Sequence, residues 1–145
     1  MNVFQALYCN QYYELKPKGK EAAARINSNR LLGISLSINL ILLVVIIMVF
    51  SADLTDAFSD LVRDIFGSRQ GRTIGKIIAL IPFLIFLPLV QYTIGTQTNY
   101  NKLIARFESF SPYEQKAVST KGLYYFIASM VGLFIAVALA LIFLA

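Results

Sequence analysis

The chain has 145 residues, 57% hydrophobic and only 14% charged, and its mean hydropathy is +0.65; soluble domains charge roughly a quarter of their residues. That composition points to a membrane protein. One Cys, no His and no Trp exclude an intrachain disulfide, histidine acid–base chemistry and the usual metal sites.

Residues 1–30 form an N-terminal segment in which Phe4, Leu7, Tyr8, Gln11, Tyr12 and Leu15 recur at helical spacing. One face of that helix is aromatic or aliphatic. Two positions suit it equally. In the headgroup layer, tyrosine rings are buried while their hydroxyls hydrogen-bond, and Lys16, Lys18 and Lys20 follow to meet lipid phosphates. Alternatively the face packs on the protein's own cytoplasmic helices. Cys9 lies in this segment, where a reduced thiol filling space is a better reading than palmitoylation.

Residues 31–50 contain no Asp, Glu, Lys or Arg. About 20 such residues at about 1.5 Å rise cross the hydrocarbon core, so this is the first predicted span. A cleaved signal peptide accounts poorly for it, because 30 residues precede it and Phe50 would stand three before a cut after Ala52. Gly33 and Ser37 offer a small-residue face for helix packing, with Asn39 near the midpoint.

In the loop of residues 51–76, Leu54, Phe58, Leu61 and Ile65 lie on one helical face and Asp53, Asp56, Asp60 and Asp64 on another. The pattern predicts a short amphipathic helix, begun by Asp53 as N-cap and stopped by Gly67. Carboxylates four residues apart on a straight helix diverge and do not surround a cation. The following GSRQGRTIGK resembles a phosphate-binding loop only at its end: Gln70 stands where the first Gly belongs and Ile77 where Ser or Thr should follow the Lys. Gly67, Gly71 and Gly75 read instead as a flexible link.

Residues 77–95 form the second predicted span, kinked by Pro82 and Pro88, with Gln91 and Thr93 near its end. No strong breaker separates it from the stripe Leu103, Ile104, Phe107 and Phe110, so the helix is expected to run on. Ser111, Pro112 and Glu114 then compose a capping box that starts the next helix at about Pro112. Residues 96–121 are thus the tip of a helical hairpin, its arms rising roughly 15 to 20 Å above the bilayer at 1.5 Å per residue. Residues 122–145 are the third span, with Ala128, Gly132, Ala136 and Ala140 as a close-packing row.

Lys and Arg number five before the first span, four in the loop of 96–121 and four in the loop of 51–76. The N-terminus and the hairpin tip are therefore expected in the cytoplasm, with the first loop and C-terminus outside. The fold class is all-α and integral to the membrane: three transmembrane helices, of which helices 2 and 3 form a long hairpin extended into the cytoplasm. A bacterial inner or other plasma membrane is the expected location. The net charge of +5 suits anionic lipid and not nucleic acid.

The spans hold no Asp, Glu, Lys, Arg or His and no nucleophile–base pair, which argues against proton-coupled transport and against catalysis. No cofactor or metal is expected. The leading expectation is an accessory or assembly subunit of a membrane complex, acting by association with other membrane chains or with itself. A homo-oligomeric pore walled by Ser35, Ser37, Asn39, Gln91 and Thr93 is the first alternative, and a membrane-embedded immunity protein that protects against a toxin is the second.

Overall fold

The computed structural model describes residues 1–66 and 71–143. The described residues are almost wholly helical and include no strand. The helices are α1 (Val3–Leu15), α2 (Glu21–Phe50), α3 (Ala52–Phe66), α4 (Gly71–Tyr92), α5 (Gln97–Glu108) and α6 (Pro112–Phe143), with a 3₁₀ turn (Lys16–Lys18) after α1. Two helices, α2 and α6, are long and apolar enough to cross a membrane; a third candidate, Leu80–Tyr92 with Gln97–Glu108, is broken by a 70° bend.

Local chemistry sets the ends of α1. Asn2 accepts from the Gln5 backbone at 2.8 Å, and the Gln5 side chain accepts from the Asn2 backbone at 3.3 Å, a capping box that satisfies two orphan amides. Beyond Leu15 the chain reverses at Gly19, whose φ of 64° is the left-handed region that glycine enters without a Cβ penalty. The helix that carries the first apolar run then starts at Glu21, ten residues before the run itself.

Contacts fix the layout. Phe4 meets the Tyr125 ring edge-on at 5.6 Å and Asn10 donates to Ser119 at 3.0 Å, so α1 runs antiparallel to α6. On α2, Gly33 lies against Leu87 of α4 and Leu42 lies against Gly132 of α6. Nine positions separate Gly33 from Leu42, and at about 100° per residue they occupy opposite faces. The apolar parts of α4, α2 and α6 therefore form a flat layer with α2 in the middle. The outward residues are apolar: Leu84 of α4 is 73% exposed and Phe134 of α6 is 74% exposed.

Three local expectations are corrected. The second apolar helix does not run on: it ends at Tyr92, Gly95 donates to the Val90 carbonyl at 2.8 Å, and Thr96 caps a separate α5. The cause is a close approach, since a Cβ on Gly95 would lie 1.9 Å from Asn29 Oδ1, so the chain turns against α2. The 70° bend lays α5 across α1 through Tyr100, Ile104 and Phe107 instead of raising it as a coaxial hairpin arm. Second, α3 begins before Asp53: its first bond runs from the Thr55 amide to the Ser51 carbonyl at 3.1 Å, because Ser51 is the extended residue at which the chain leaves α2. Third, the stretch from Gly71 to Lys76 belongs to α4 and is not a flexible link, since glycine lowers helix propensity without forbidding the helix. The expected stop at Gly67 lies outside the described residues.

Candidate functional site

The most highly structured region is the polar end, where α1 is enclosed by α2, α5 and α6. Residues Ala6, Leu7, Tyr8, Cys9 and Asn10 are each 4% exposed or less. Five consecutive helical residues sweep more than a full turn, so the middle of α1 is covered on every side. Of the two positions open to its aromatic face, α1 occupies the one on the protein's own helices. Closeness explains how α6 receives it: a Cβ on Gly122 would come within 2.2 Å of the Ala6 carbonyl oxygen. Only glycine lets the two backbones touch.

Polar side chains buried by this packing find partners. The Tyr8 hydroxyl donates to Asn29 Oδ1 at 2.6 Å. Asn29 Nδ2 and the Arg25 guanidinium both donate to the Gly95 carbonyl, at 3.2 and 3.0 Å. One asparagine thus links α1 and α2 to the bend between α4 and α5. Burial holds the Tyr8 phenol well above its usual range, against a smaller opposing effect of Arg25. Burial likewise pushes the Cys9 thiol up to about 12. Cys9 is a neutral space-filling group of the core, 0% exposed and free, with no surface from which an acyl chain could leave.

The two flanks of α5 differ in charge. On one, Glu108 accepts from Lys16 and from the Tyr12 hydroxyl, and Lys16 lies 5.1 Å from the centre of the Tyr12 ring. The hydrogen bond from Lys16 first, then that from Tyr12, holds the Glu108 carboxyl below its ordinary range. On the other flank stand Lys102 and Arg106, and among the described residues neither forms a salt bridge.

The predicted packing residues fall into two contacts. Gly33 and Ser37 are buried on the α4 side of α2, and the Ser37 hydroxyl donates to the Gly33 carbonyl at 2.8 Å. Asn39 donates to the Tyr125 hydroxyl at 3.3 Å, which joins α2 to α6. On α6, Gly132 and Ala136 are buried, whereas Ala128 is exposed and Ala140 half-buried. The buried line runs through Gly122, Ser129 and Ala136, seven residues apart. A strict four-residue row drifts around the helix, while a mean step of 3.5 stays on a seam between packed helices.

At the tip, Glu114 accepts from the Ser111 backbone at 2.9 Å and from its hydroxyl at 2.7 Å, while the Glu114 amide donates to Ser111 Oγ at 3.4 Å. The bonds from Ser111 hold the Glu114 carboxyl below its ordinary range. Pro112 is exposed, and Phe110 is half-buried with its ring 6.4 Å from that of Phe107. The sequence reading passed over Asn10, Asn29, Gly95, Ser119 and Gly122. Gly95 beside Thr96, a glycine followed by a helix-capping residue, was the available signal for the bend.

Chemically, this end can hold helices and present cations. Among the described residues no three of His, Cys, Asp and Glu gather as metal ligands. Comparison with protein-family models, curated proteins and solved structures finds no match to the chain.

Proposed function

We propose that the protein is a three-span membrane subunit that acts by association with another membrane chain, its N-terminus and α5 in the cytoplasm and its C-terminus outside. The helix directions support three passes: Asn29 meets Gly95 and Gly33 meets Leu87, so α4 returns antiparallel to α2, and α6 re-enters parallel to α2. The positive charge at the α1 and α5 end supports the orientation.

The observation that carries association is the state of α2. Its Gly33 and Asn39 are used inside the chain, by Leu87 and Tyr125, yet Leu40, Leu43, Val44 and Ile47 stay exposed along one stripe. At about 100° per residue the stripe continues the Gly33 side of α2 toward its C-terminal end, an apolar face left uncovered beyond the Leu87 contact that one further helix fits. A pore wall gains less support, because Ser35 and Ser37 are buried and Asn39 is partnered within the chain.

A photo-crosslinking residue at Leu43, compared with one at the lipid-facing Leu84, tests the reading in intact membranes. Association requires an adduct of one defined mass from position 43, containing a chain that also co-purifies in mild detergent at fixed stoichiometry. Lipid adducts alone from both positions refute it.

A further inference from the structure

We propose that the groove between α1 and α5 binds the phosphate of an anionic phospholipid. The groove has a volume of about 620 Å³, and two independent features make it attractive to an anion. Lys102 and Arg106 line it, and among the described residues no carboxylate neutralises either. The N-terminal ends of two helices open on it, α1 at Asn2 and Gln5 and α5 at Asn99, so both macrodipoles present their positive ends.

Depth and lining select a lipid as the source of the phosphate. Phe4 meets the edge of Tyr125, three residues past the start of the third apolar run, and Ile94 lies one residue before the end of the second run. If those runs lie in the hydrocarbon, the groove stands at the headgroups. Phe4, Ile94 and Leu103 give it an apolar side along which the glycerol and first methylenes can leave. A smaller groove of about 370 Å³, between Arg25, Arg30 and Gln91, also carries cations. There, however, Arg25 is already occupied by the Gly95 carbonyl.

The test uses the full chain in a zwitterionic detergent, following its thermal unfolding while dioleoyl phosphatidylglycerol, dioleoyl phosphatidylcholine or glycerol 3-phosphate is titrated. A saturable rise in Tm with phosphatidylglycerol, absent with phosphatidylcholine, is expected. Replacing Lys102 and Arg106 together by Gln should raise the apparent Kd about tenfold and leave the lipid-free Tm in place, because both side chains are exposed and unpaired. Lys18→Gln with Lys20→Gln removes the same charge elsewhere on the polar end and should leave the Kd unchanged. An equal loss in that control pair would mean diffuse attraction to the surface and would overturn the site. Saturation by glycerol 3-phosphate at the same apparent Kd would overturn the lipid as its ligand. No response to any of the three would overturn the proposal outright, whether or not the chain associates with a partner.

Discussion

Gly122→Ala is the most searching perturbation of this fold, because the added methyl meets backbone and not a movable side chain. Its Cβ would lie 2.2 Å from the Ala6 carbonyl oxygen and 2.7 Å from the Leu7 nitrogen. A relaxed carbon–oxygen contact needs roughly 3.3 Å, so α1 must withdraw from α6 by about 1 Å. Overpacking of this kind costs roughly 2 kcal/mol, and the Asn10–Ser119 hydrogen bond, now 3.0 Å, loses about 1 kcal/mol as its ends separate. The gain in helix propensity from Gly to Ala returns about 1 kcal/mol, leaving a net destabilisation of about 2 kcal/mol. Gly132→Ala is the contrast. Its Cβ meets only the tip of Leu42, at 3.1 Å, which can yield by a few tenths of an ångström, so the propensity gain makes that variant neutral or slightly more stable. Thermal unfolding in detergent should place Gly122→Ala roughly 4 to 8 °C below Gly132→Ala. Cys9, enclosed on α1 beside this contact, should alkylate faster in the first variant only. Equal midpoints and equal Cys9 protection would show that α1 is not seated on α6 as described.

Asn29→Leu strands the Tyr8 hydroxyl in the core and should destabilise by about 2 to 3 kcal/mol, whereas Tyr8→Phe should cost only about 1 kcal/mol; chemical unfolding of the two variants checks the order. Because burial raises the Cys9 pKa to about 12, the folded state keeps a proton that the unfolded thiol releases from about pH 8.5 upward. That contribution to stability is complete below the unfolded pKa and is lost as pH rises through the folded one. Cys9→Ala should therefore flatten the decline in stability between about pH 8.5 and 10, and an unchanged decline would refute the assignment. In a Cys9→Ala background, an impermeant thiol reagent applied to intact cells should label a cysteine at Ser59 and spare one at Ser109; the reverse pattern would invert the topology.

The apolar runs were legible because a bilayer demands long uncharged helices, and composition records that demand directly. The Ser111–Glu114 capping box was legible for a similar reason: the cap is local, and its partners are three residues apart. What the sequence concealed was contact over distance. The periodicity of Phe4, Tyr8 and Tyr12 announces a face to be covered without naming the cover, and here Asn29, Tyr100 and Tyr125 supply it. Gly95 and Gly122 read as ordinary helix-weakening residues until Asn29 and Ala6 are seen against them. On α6 the small residues Ala128 and Gly132 suggest a spacing of four. Size does not show which way a residue faces, and the seven-residue recurrence through Ser129 becomes evident only with α1 and α2 in place.

The seating of α1 also orders the protein's biogenesis. The ribosome makes α1 first, but Tyr100, Ser119 and Gly122 emerge some 90 or more residues later. Until then α2 alone can cover it, through Asn29, and the faces that α5 and α6 bury remain open. On the three-span threading proposed above, the docking surface forms only if the last span begins on the same side of the bilayer as the N-terminus; an inverted insertion would put the two halves of the joint on opposite sides. On that threading, the seating of α1 distinguishes a correctly inserted chain from an inverted one, whose α1 is left uncovered.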